Sequence, residues 1–191
     1  MVCRRPERWD KRGIGLAATL NRQENADENF GRRCYRQYRR DVARDVDAVV
    51  FAAGSGGHTG PDMTDKVDRD GAKALINAAA GAKVKRFVML SSIGVDEPSK
   101  GPDSLRHYLE AKQEADEHLR NADVPHVIVR PISLSDDTGK GQVTLEEHVD
   151  RKGNVTRDDV AAVLAASVTE PGLEGVPFEI CAGDVPVNRA V

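Results

Sequence analysis

Residues 86–92 have the sequence Arg86-Phe87-Val88-Met89-Leu90-Ser91-Ser92, a short apolar run that ends in two small polar residues. Similar apolar runs occur at residues 48–53, 127–130 and 177–181, and helical apolar spacing occupies the segments between them, at residues 64–80, 104–121 and 156–168. Short apolar strands that alternate with longer helices are typical of a parallel sheet covered by helices. The sequence therefore predicts an α/β fold, and prolines in and near the run at residues 177–181 indicate that this strand lies at a sheet edge.

The length and composition indicate one ordinary domain. The chain has 191 residues, of which 39% are hydrophobic, so it can bury a core but is too short for two enzyme domains. Its apolar stretches fall far short of the roughly 18 residues that cross a membrane, and its N-terminus does not resemble a secretory signal. The three cysteines, Cys3, Cys34 and Cys181, suggest neither a disulfide framework nor a zinc site. We therefore expect a cytoplasmic protein with no metal and no membrane partner.

Charge divides the chain near residue 44. Residues 1–44 carry a net charge of +6, and residues 45–191 carry a net charge of −9. We interpret residues 1–44 as a basic, atypical N-terminal arm, which either meets an anionic partner or differs in origin from the rest. Its arginines, with Tyr35 and Tyr38 among them, could contact nucleic acid. The acidic charge of residues 45–191 argues against that partner.

A tyrosine and a lysine stand four residues apart in the predicted helix at residues 104–121. Tyr108 and Lys112 therefore share one helix face, and a nearby ammonium lowers the pKa of a phenol toward the range of a general acid or base. The same spacing also occurs in ordinary packed helices. Ser91 and Ser92 follow a predicted strand, where open α/β sheets place their ligand crevice. They could hydrogen-bond a substrate carbonyl there, or simply cap a turn.

A glycine-rich segment follows the predicted strand at residues 48–53. Gly54-Ser55-Gly56-Gly57 would let a flat or phosphorylated ligand approach the backbone closely. An ordinary flexible turn would have the same composition.

Taken in their order along the chain, these segments resemble the short-chain dehydrogenase/reductase superfamily. The chain is most similar to the atypical branch that contains NAD(P)-binding epimerase-like and NmrA-like proteins. The resemblance covers about residues 45–191, which would form the C-terminal part of a Rossmann-like domain. It rests on Ala52-Ala53-Gly54, the helix segment at residues 67–79, the run at residues 86–92, Tyr108-x-x-x-Lys112, Val129-Arg130-Pro131, the segment at residues 155–161 and Phe178-Glu179-Ile180.

The resemblance implies a cofactor, NAD(P), and a small-molecule substrate. It implies that Tyr108 is the proton donor and that Ser92, or alternatively Ser91, polarises a carbonyl. Lys112 would hold the nicotinamide ribose and lower the pKa of Tyr108. The cofactor-binding residues that it implies are Ala53, Gly54 and Ser55 on the adenosine side, and Ser91, Lys112, Arg130, Pro131 and Ile132 toward the nicotinamide.

The N-terminal segment departs from the family pattern. The family begins with a strand, a Gly-x-x-Gly-x-x-Gly turn and a helix that together hold the pyrophosphate. The segment Gly13-Ile14-Gly15-Leu16-Ala17-Ala18 has a partly similar spelling but follows no predicted strand. Each βαβ unit needs roughly 30 residues, so the family's N-terminal half does not fit into residues 1–44. An altered reading frame or a truncation upstream of Asp41 is one hypothesis for this departure.

The departure leaves two classes of function open. The first is an NAD(P)-dependent oxidoreductase or epimerase-like enzyme that acts on a small molecule. The second is a noncatalytic NmrA-like protein that senses a dinucleotide or binds a partner, or an inactive truncated relic. In either case the sheet is predicted to be incomplete at its N-terminus, and an exposed sheet edge would favour a homo-oligomer.

Overall fold

The computed structural model describes residues 2–3, 43, 46–57 and 59–191. In this part of the chain, seven strands form one sheet. Their spatial order across the sheet is β1 (Val2–Cys3), β2 (Ala48–Phe51), β3 (Arg86–Leu90), β4 (His126–Pro131), β8 (Phe178–Ala182), β6 (Gln142–Glu146) and β9 (Val185–Pro186). A separate two-stranded ribbon joins β5 (Leu134–Ser135) to β7 (Val155–Thr156). The helices are α1 (Pro61–Thr64), α2 (Ala72–Ala82), α3 (Asp103–Arg120), α4 (Arg157–Ala166) and α5 (Val187–Ala190).

The centre of the sheet is parallel. β2, β3, β4 and β8 pair in parallel with Val50 opposite Val88 and Val129 opposite Phe178. β1 and β6 are antiparallel to their neighbours. This arrangement confirms the predicted α/β fold with a Rossmann-like parallel sheet and flanking helices.

The predicted edge position of the last apolar run is wrong. β8 lies between β4 and β6 and pairs with both of them. Pro177 precedes the strand, so it removes no donor from the ladder that Phe178 begins. The neighbour on its second side, β6, was not predicted, because residues 142–146 lie in a stretch whose glycines and polar residues indicated irregular structure.

The two faces of the sheet bury separate apolar clusters. On one face, Val49, Phe51 and Phe87 pack against buried residues of α2 and α3. On the other face, Val50, Val88 and Ile180 pack against α4. This alternation along each strand brings α3, with its tyrosine and lysine, over β2, β3 and β4.

The helical segment before α2 differs from a regular α-helix. The sequence predicts a helix over residues 64–80, whereas the structure has α1, a π-helical segment at Asp65–Gly71, and then α2. Thr64, Asp68, Ala72 and Ile76 are buried at intervals of four residues. This spacing places Asp68, a carboxylate, on the buried side of the helical segment.

Most of residues 1–44 lie outside the described residues, so the division of the chain near residue 44 stays a prediction. Tyr35 and Tyr38 of the basic arm and the glycine segment at residues 13–18 also lie there. Among the helices that the structure describes, none is long and apolar enough to cross a membrane.

Candidate active site

Two adjacent serines leave the carboxyl end of β3 and have different surroundings. Ser91 is buried, and its hydroxyl donates a hydrogen bond of 2.8 Å to Asp116 Oδ2. Ser92 is half-buried, and its hydroxyl donates to the carbonyl oxygen of the next residue, Ile93, at 3.2 Å. The Ser91 hydroxyl is therefore used within the protein interior, whereas Ser92 is partly exposed at the carboxyl end of β3.

Tyr108 and Lys112 lie one turn apart on α3, as the sequence predicts. The Lys112 ammonium is 5.8 Å from the centre of the Tyr108 ring and 5.8 Å from the centre of the Phe51 ring. The Lys112 side chain is only 4% exposed, and its Nζ donates a hydrogen bond of 3.2 Å to the Leu90 carbonyl oxygen. The structure thus brings the lysine to the point where β2 and β3 end, with the half-buried tyrosine beside it.

A third charged side chain, Asp68, belongs to this cluster and was not among the predicted site residues. Asp68 Oδ1 lies 3.2 Å from Lys112 Nζ, and the Asp68 side chain is fully buried. Its other oxygen, Oδ2, accepts a hydrogen bond of 3.0 Å from the Ser55 backbone N–H. The available signal was an aspartate at the position where a helix that packs on a sheet should present an apolar residue.

Burial dominates the acidity of Tyr108. It raises the pKa of the phenol, and the negative charges of Asp68 and Asp116 raise it further. Lys112 and the Ser92 hydroxyl lower the pKa but do not compensate. Lys112 therefore acts on the pKa in the predicted direction, but burial is the larger effect, so the pKa of Tyr108 is raised overall. The phenol is protonated at neutral pH and can donate its proton.

Arg130 is the centre of a second charged cluster at the end of β4, in which Arg130 and Asp116 are buried and Asp96 is exposed. Its guanidinium donates to both oxygens of Asp96, at 2.6 and 3.1 Å. It also donates to Asp116 Oδ2, at 3.2 Å from Nε and 3.1 Å from Nη2. Burial raises the pKa of Asp116, although Arg130 and Ser91 both lower it. The Arg130 side chain is thus occupied by two carboxylates that the sequence did not connect to it.

The remaining predicted cofactor residues lie around the same edge of the sheet. Pro131 and Ile132 are buried at the end of β4. Ala53 and Ser55 are half-buried after β2, and Gly54 is exposed. The Ser55 hydroxyl is 3.2 Å from the Thr64 hydroxyl. The structure therefore brings the strand-end residues and the tyrosine and lysine of α3 together at the carboxyl ends of the parallel strands.

The glycine-rich segment after β2 is open. Gly56 has a φ of +78°, and a side chain at Gly56 or Gly57 would meet no atom within 4 Å. The backbone here is accessible to a ligand from the side of the site.

Comparison with known families identifies a cofactor-binding domain in this chain. Residues 37–171 match a family described as NAD(P)H-binding, and this range contains every predicted site residue. The chain belongs to this NAD(P)H-binding family. The predicted resemblance to the atypical short-chain dehydrogenases/reductases is confirmed.

Individual proteins that are similar to this chain extend the comparison. The chain is 34% identical over 191 residues to the uncharacterized sugar epimerase YhfK of Bacillus subtilis. This match covers 100% of this chain and 85% of YhfK. A solved structure of a putative NAD-dependent epimerase/dehydratase from Bacillus halodurans is 41% identical, with a TM-score of 0.76 over 81% of this chain and 74% of that chain. The oxidoreductase ylbE from Lactococcus lactis is 28% identical, with a TM-score of 0.71 over 84% of this chain and 70% of that chain.

Among the residues that the structure describes, no three His, Cys, Asp or Glu side chains are grouped so that they could hold a metal ion. His58 lies outside the described residues.

Proposed function

We propose that this protein is an NAD(P)-dependent oxidoreductase or epimerase-like enzyme that acts on a small molecule. The observation that carries the proposal is the position of Tyr108 and Lys112 on α3, beside Ser92 and at the end of two parallel strands. In a chain of the NAD(P)H-binding family, this arrangement supplies a proton donor, a fixed cation and a hydroxyl at the place where the cofactor is expected.

The residues at this edge fit the cofactor. An ammonium has three N–H donors, and Lys112 donates one of them to the Leu90 carbonyl while its charge pairs with Asp68 Oδ1 at 3.2 Å. We propose that another of these donors binds a ribose hydroxyl of the nicotinamide nucleotide. Ala53, Gly54 and Ser55 would line the adenosine side, where the backbone is open, and Ser91, Arg130, Pro131 and Ile132 would support the nicotinamide side from the strand ends. When bound, the nicotinamide would supply or accept a hydride.

Side chains of the protein would then transfer the proton and stabilise the phenolate charge. The Ser92 hydroxyl would donate a hydrogen bond to the substrate oxygen, which polarises the carbonyl. The Tyr108 Oη–H bond would break and its proton would pass to that oxygen, leaving a phenolate. The Lys112 ammonium, 5.8 Å from the ring centre, would stabilise this phenolate. In the direction of oxidation, the phenolate would take the proton back from the substrate hydroxyl.

A paired titration tests the proposal. The purified protein is titrated with NADPH and with NADH while nucleotide fluorescence and thermal unfolding are recorded, because a ligand that binds only the folded state raises the melting temperature. We expect saturable binding of one or both nucleotides with a higher melting temperature. Absence of both effects with both nucleotides would contradict the proposal.

Variants on α3 then test the proton donor. Tyr108→Phe keeps the ring and removes the hydroxyl, so we expect nucleotide binding to persist while NADPH oxidation with carbonyl substrates falls by about 100-fold or more. Glu110→Gln, an exposed position on the same helix, is the matched control and should turn over like the wild type. Equal turnover in Tyr108→Phe and the wild type would remove Tyr108 from the mechanism.

A noncatalytic NmrA-like role as a dinucleotide sensor is the second candidate. It is favoured by the raised pKa of Tyr108, since burial and Asp68 work against the phenolate that catalysis needs. A sensor would bind nucleotide with the same stabilisation and would oxidise no NADPH with any carbonyl compound, and its Tyr108→Phe variant would behave like the wild type. The NADPH oxidation measurements on the wild type and on Tyr108→Phe therefore distinguish the candidates.

A further inference from the structure

Asp68 is a buried carboxylate with two neighbours that belong to different parts of the site. Its Oδ1 faces the Lys112 ammonium at 3.2 Å, and its Oδ2 accepts the Ser55 N–H at 3.0 Å. The Asp68 residue is 0% exposed and Lys112 is 3% exposed, so water does not screen the pair. A single side chain therefore touches both the predicted catalytic lysine and the predicted cofactor loop.

We propose that Asp68 is a positioning residue, which holds the Lys112 ammonium in place and charged and ties it through the same carboxylate to the backbone of Ser55. The proposal rests on the proposed function only for its consequence in catalysis. The contacts themselves are independent of which molecule the site binds.

The surroundings of Lys112 show why its charge depends on Asp68. Phe51 on β2 offers an aromatic face, Leu90 on β3 offers one carbonyl, and Tyr108 on the same helix is a neutral phenol. Asp116, one turn further along α3, is the other carboxylate that acts on Lys112, but its Oδ2 already accepts from Ser91 and Arg130. Asp68 is thus the carboxylate within ion-pair distance of this buried ammonium among the described residues.

The local fold directs Asp68 to this place. It lies in the π-helical segment Asp65–Gly71, on the same buried side as Thr64 and Ala72. Gly54 adjoins the carboxylate, because a side chain at Gly54 would come within 3.4 Å of Asp68 Oδ1. A buried ion pair is weak evidence for stability in itself, since its desolvation offsets most of its attraction. Its effect here is to fix where Lys112 and Ser55 lie relative to each other.

Nitrogen-15 NMR of the lysine side chains tests the ion pair directly and requires no substrate. The chain has nine lysines, and Lys112→Gln identifies the Lys112 signal by its loss. In Asp68→Asn the ammonium loses its ion-pair partner, so we expect its protons to exchange with water about 10-fold faster than in the wild type. Asp70→Asn is the matched control, because Asp70 belongs to the same π-helical segment but pairs with Arg69 at 2.8 Å. An unchanged exchange rate of the Lys112 ammonium in folded Asp68→Asn would overturn the proposal.

Amide hydrogen exchange at Ser55 tests the second contact. One amide oxygen in Asp68→Asn cannot serve both Lys112 and Ser55, so we expect the Ser55 N–H to exchange about 10-fold faster than in the wild type and in Asp70→Asn. If Asp68→Asn does not fold, Asp68→Glu replaces it. Its longer carboxylate should keep Lys112 charged while it loses the Ser55 contact. Ser55 exchange at the wild-type rate in Asp68→Glu would overturn the link to the loop.

The outcomes separate this proposal from the proposed function. If wild-type protein binds neither NADPH nor NADH while the NMR and exchange results are as expected, the positioning role of Asp68 stands and the cofactor assignment fails. If nucleotide binds and Asp68→Asn leaves both Lys112 and Ser55 unchanged, the reverse holds. In an active enzyme, Asp68→Asn should also change the pH profile of kcat, which Asp70→Asn should not.

Discussion

Lys112 Nζ and Asp68 Oδ1 lie 3.2 Å apart in a region that solvent does not reach. The two residues are 44 positions apart along the chain and come from two different helical segments, which pack side by side on one face of the sheet. Each supplies the opposite charge that the other, being buried, would otherwise lack. The pair therefore links the packing of these helices to the chemistry at the sheet edge.

Lys112→Met should be strongly destabilising. It leaves Asp68 as a buried charge without a cation, and breaking a buried pair in this way costs about 3–5 kcal/mol of unfolding free energy. Lys73→Met is the control, since Lys73 forms a 2.6 Å pair with Glu114 in which both side chains are partly exposed. That variant should cost less than about 1 kcal/mol. Urea unfolding at neutral pH measures both, and a loss below about 1 kcal/mol for Lys112→Met would contradict the buried pair.

Of the two serines after β3, we expect Ser91 to stabilise the fold and Ser92 to take part in the reaction. Ser91→Ala removes a buried donor and leaves Asp116 Oδ2 with fewer partners, so we expect a loss of about 1–3 kcal/mol of unfolding free energy. Ser92→Ala removes a half-buried hydroxyl that donates to the adjacent Ile93 carbonyl and hydrogen-bonds with Tyr108, so stability should change by about 0.5 kcal/mol or less. In an active enzyme, turnover should fall in Ser92→Ala. A larger stability loss in Ser92→Ala than in Ser91→Ala would reverse this assignment.

Asp116 should give stability an unusual pH dependence. Burial raises its pKa in the folded protein above the ordinary value of 3.8, so the folded state binds the proton more tightly than the unfolded state does. The stability that this residue contributes is therefore greatest below about pH 3.8 and decreases as the pH rises through its folded pKa. The unfolding free energy of the wild type minus that of Asp116→Asn isolates this effect. It should become smaller with rising pH, and a difference that grows with pH would show that the pKa is lowered instead.

Asp159 should behave in the opposite way. Burial opposes its ionisation, but hydrogen bonds from Thr156 at 2.8 Å, Gly141 at 2.7 Å and Lys140 at 3.2 Å prevail and lower its pKa. Its contribution to stability is present above about pH 3.8 and is lost as the pH falls through its folded pKa.

Asp159→Ala at neutral pH should cost about 1–3 kcal/mol and free the backbone at residues 140–141, because two N–H donors lose their acceptor. Asp158→Ala removes an exposed neighbour, whose bond to the Gly139 N–H is 3.2 Å long, and should cost less. Urea unfolding at several pH values compares the two variants. Equal losses in both would contradict the role of Asp159 as the anchor of this segment.

The amino-acid sequence by itself determined the parallel centre of the sheet and the shared face of Tyr108 and Lys112. Both depend on local patterns, since an apolar run of strand length and a four-residue helical spacing constrain the backbone within a few residues. The order of segments also indicated the family, which the match over residues 37–171 confirms.

Only the tertiary structure decided which strands are neighbours and which charges meet. β8 is internal because residues 142–146 return antiparallel beside it, and Asp68 reaches Lys112 because two helical segments pack on one face of the sheet and bring the two side chains together. Burial likewise decided that the pKa of Tyr108 is raised although Lys112 is near. Desolvation depends on every atom that surrounds a group, and those atoms come from distant parts of the chain, so no local pattern contains it.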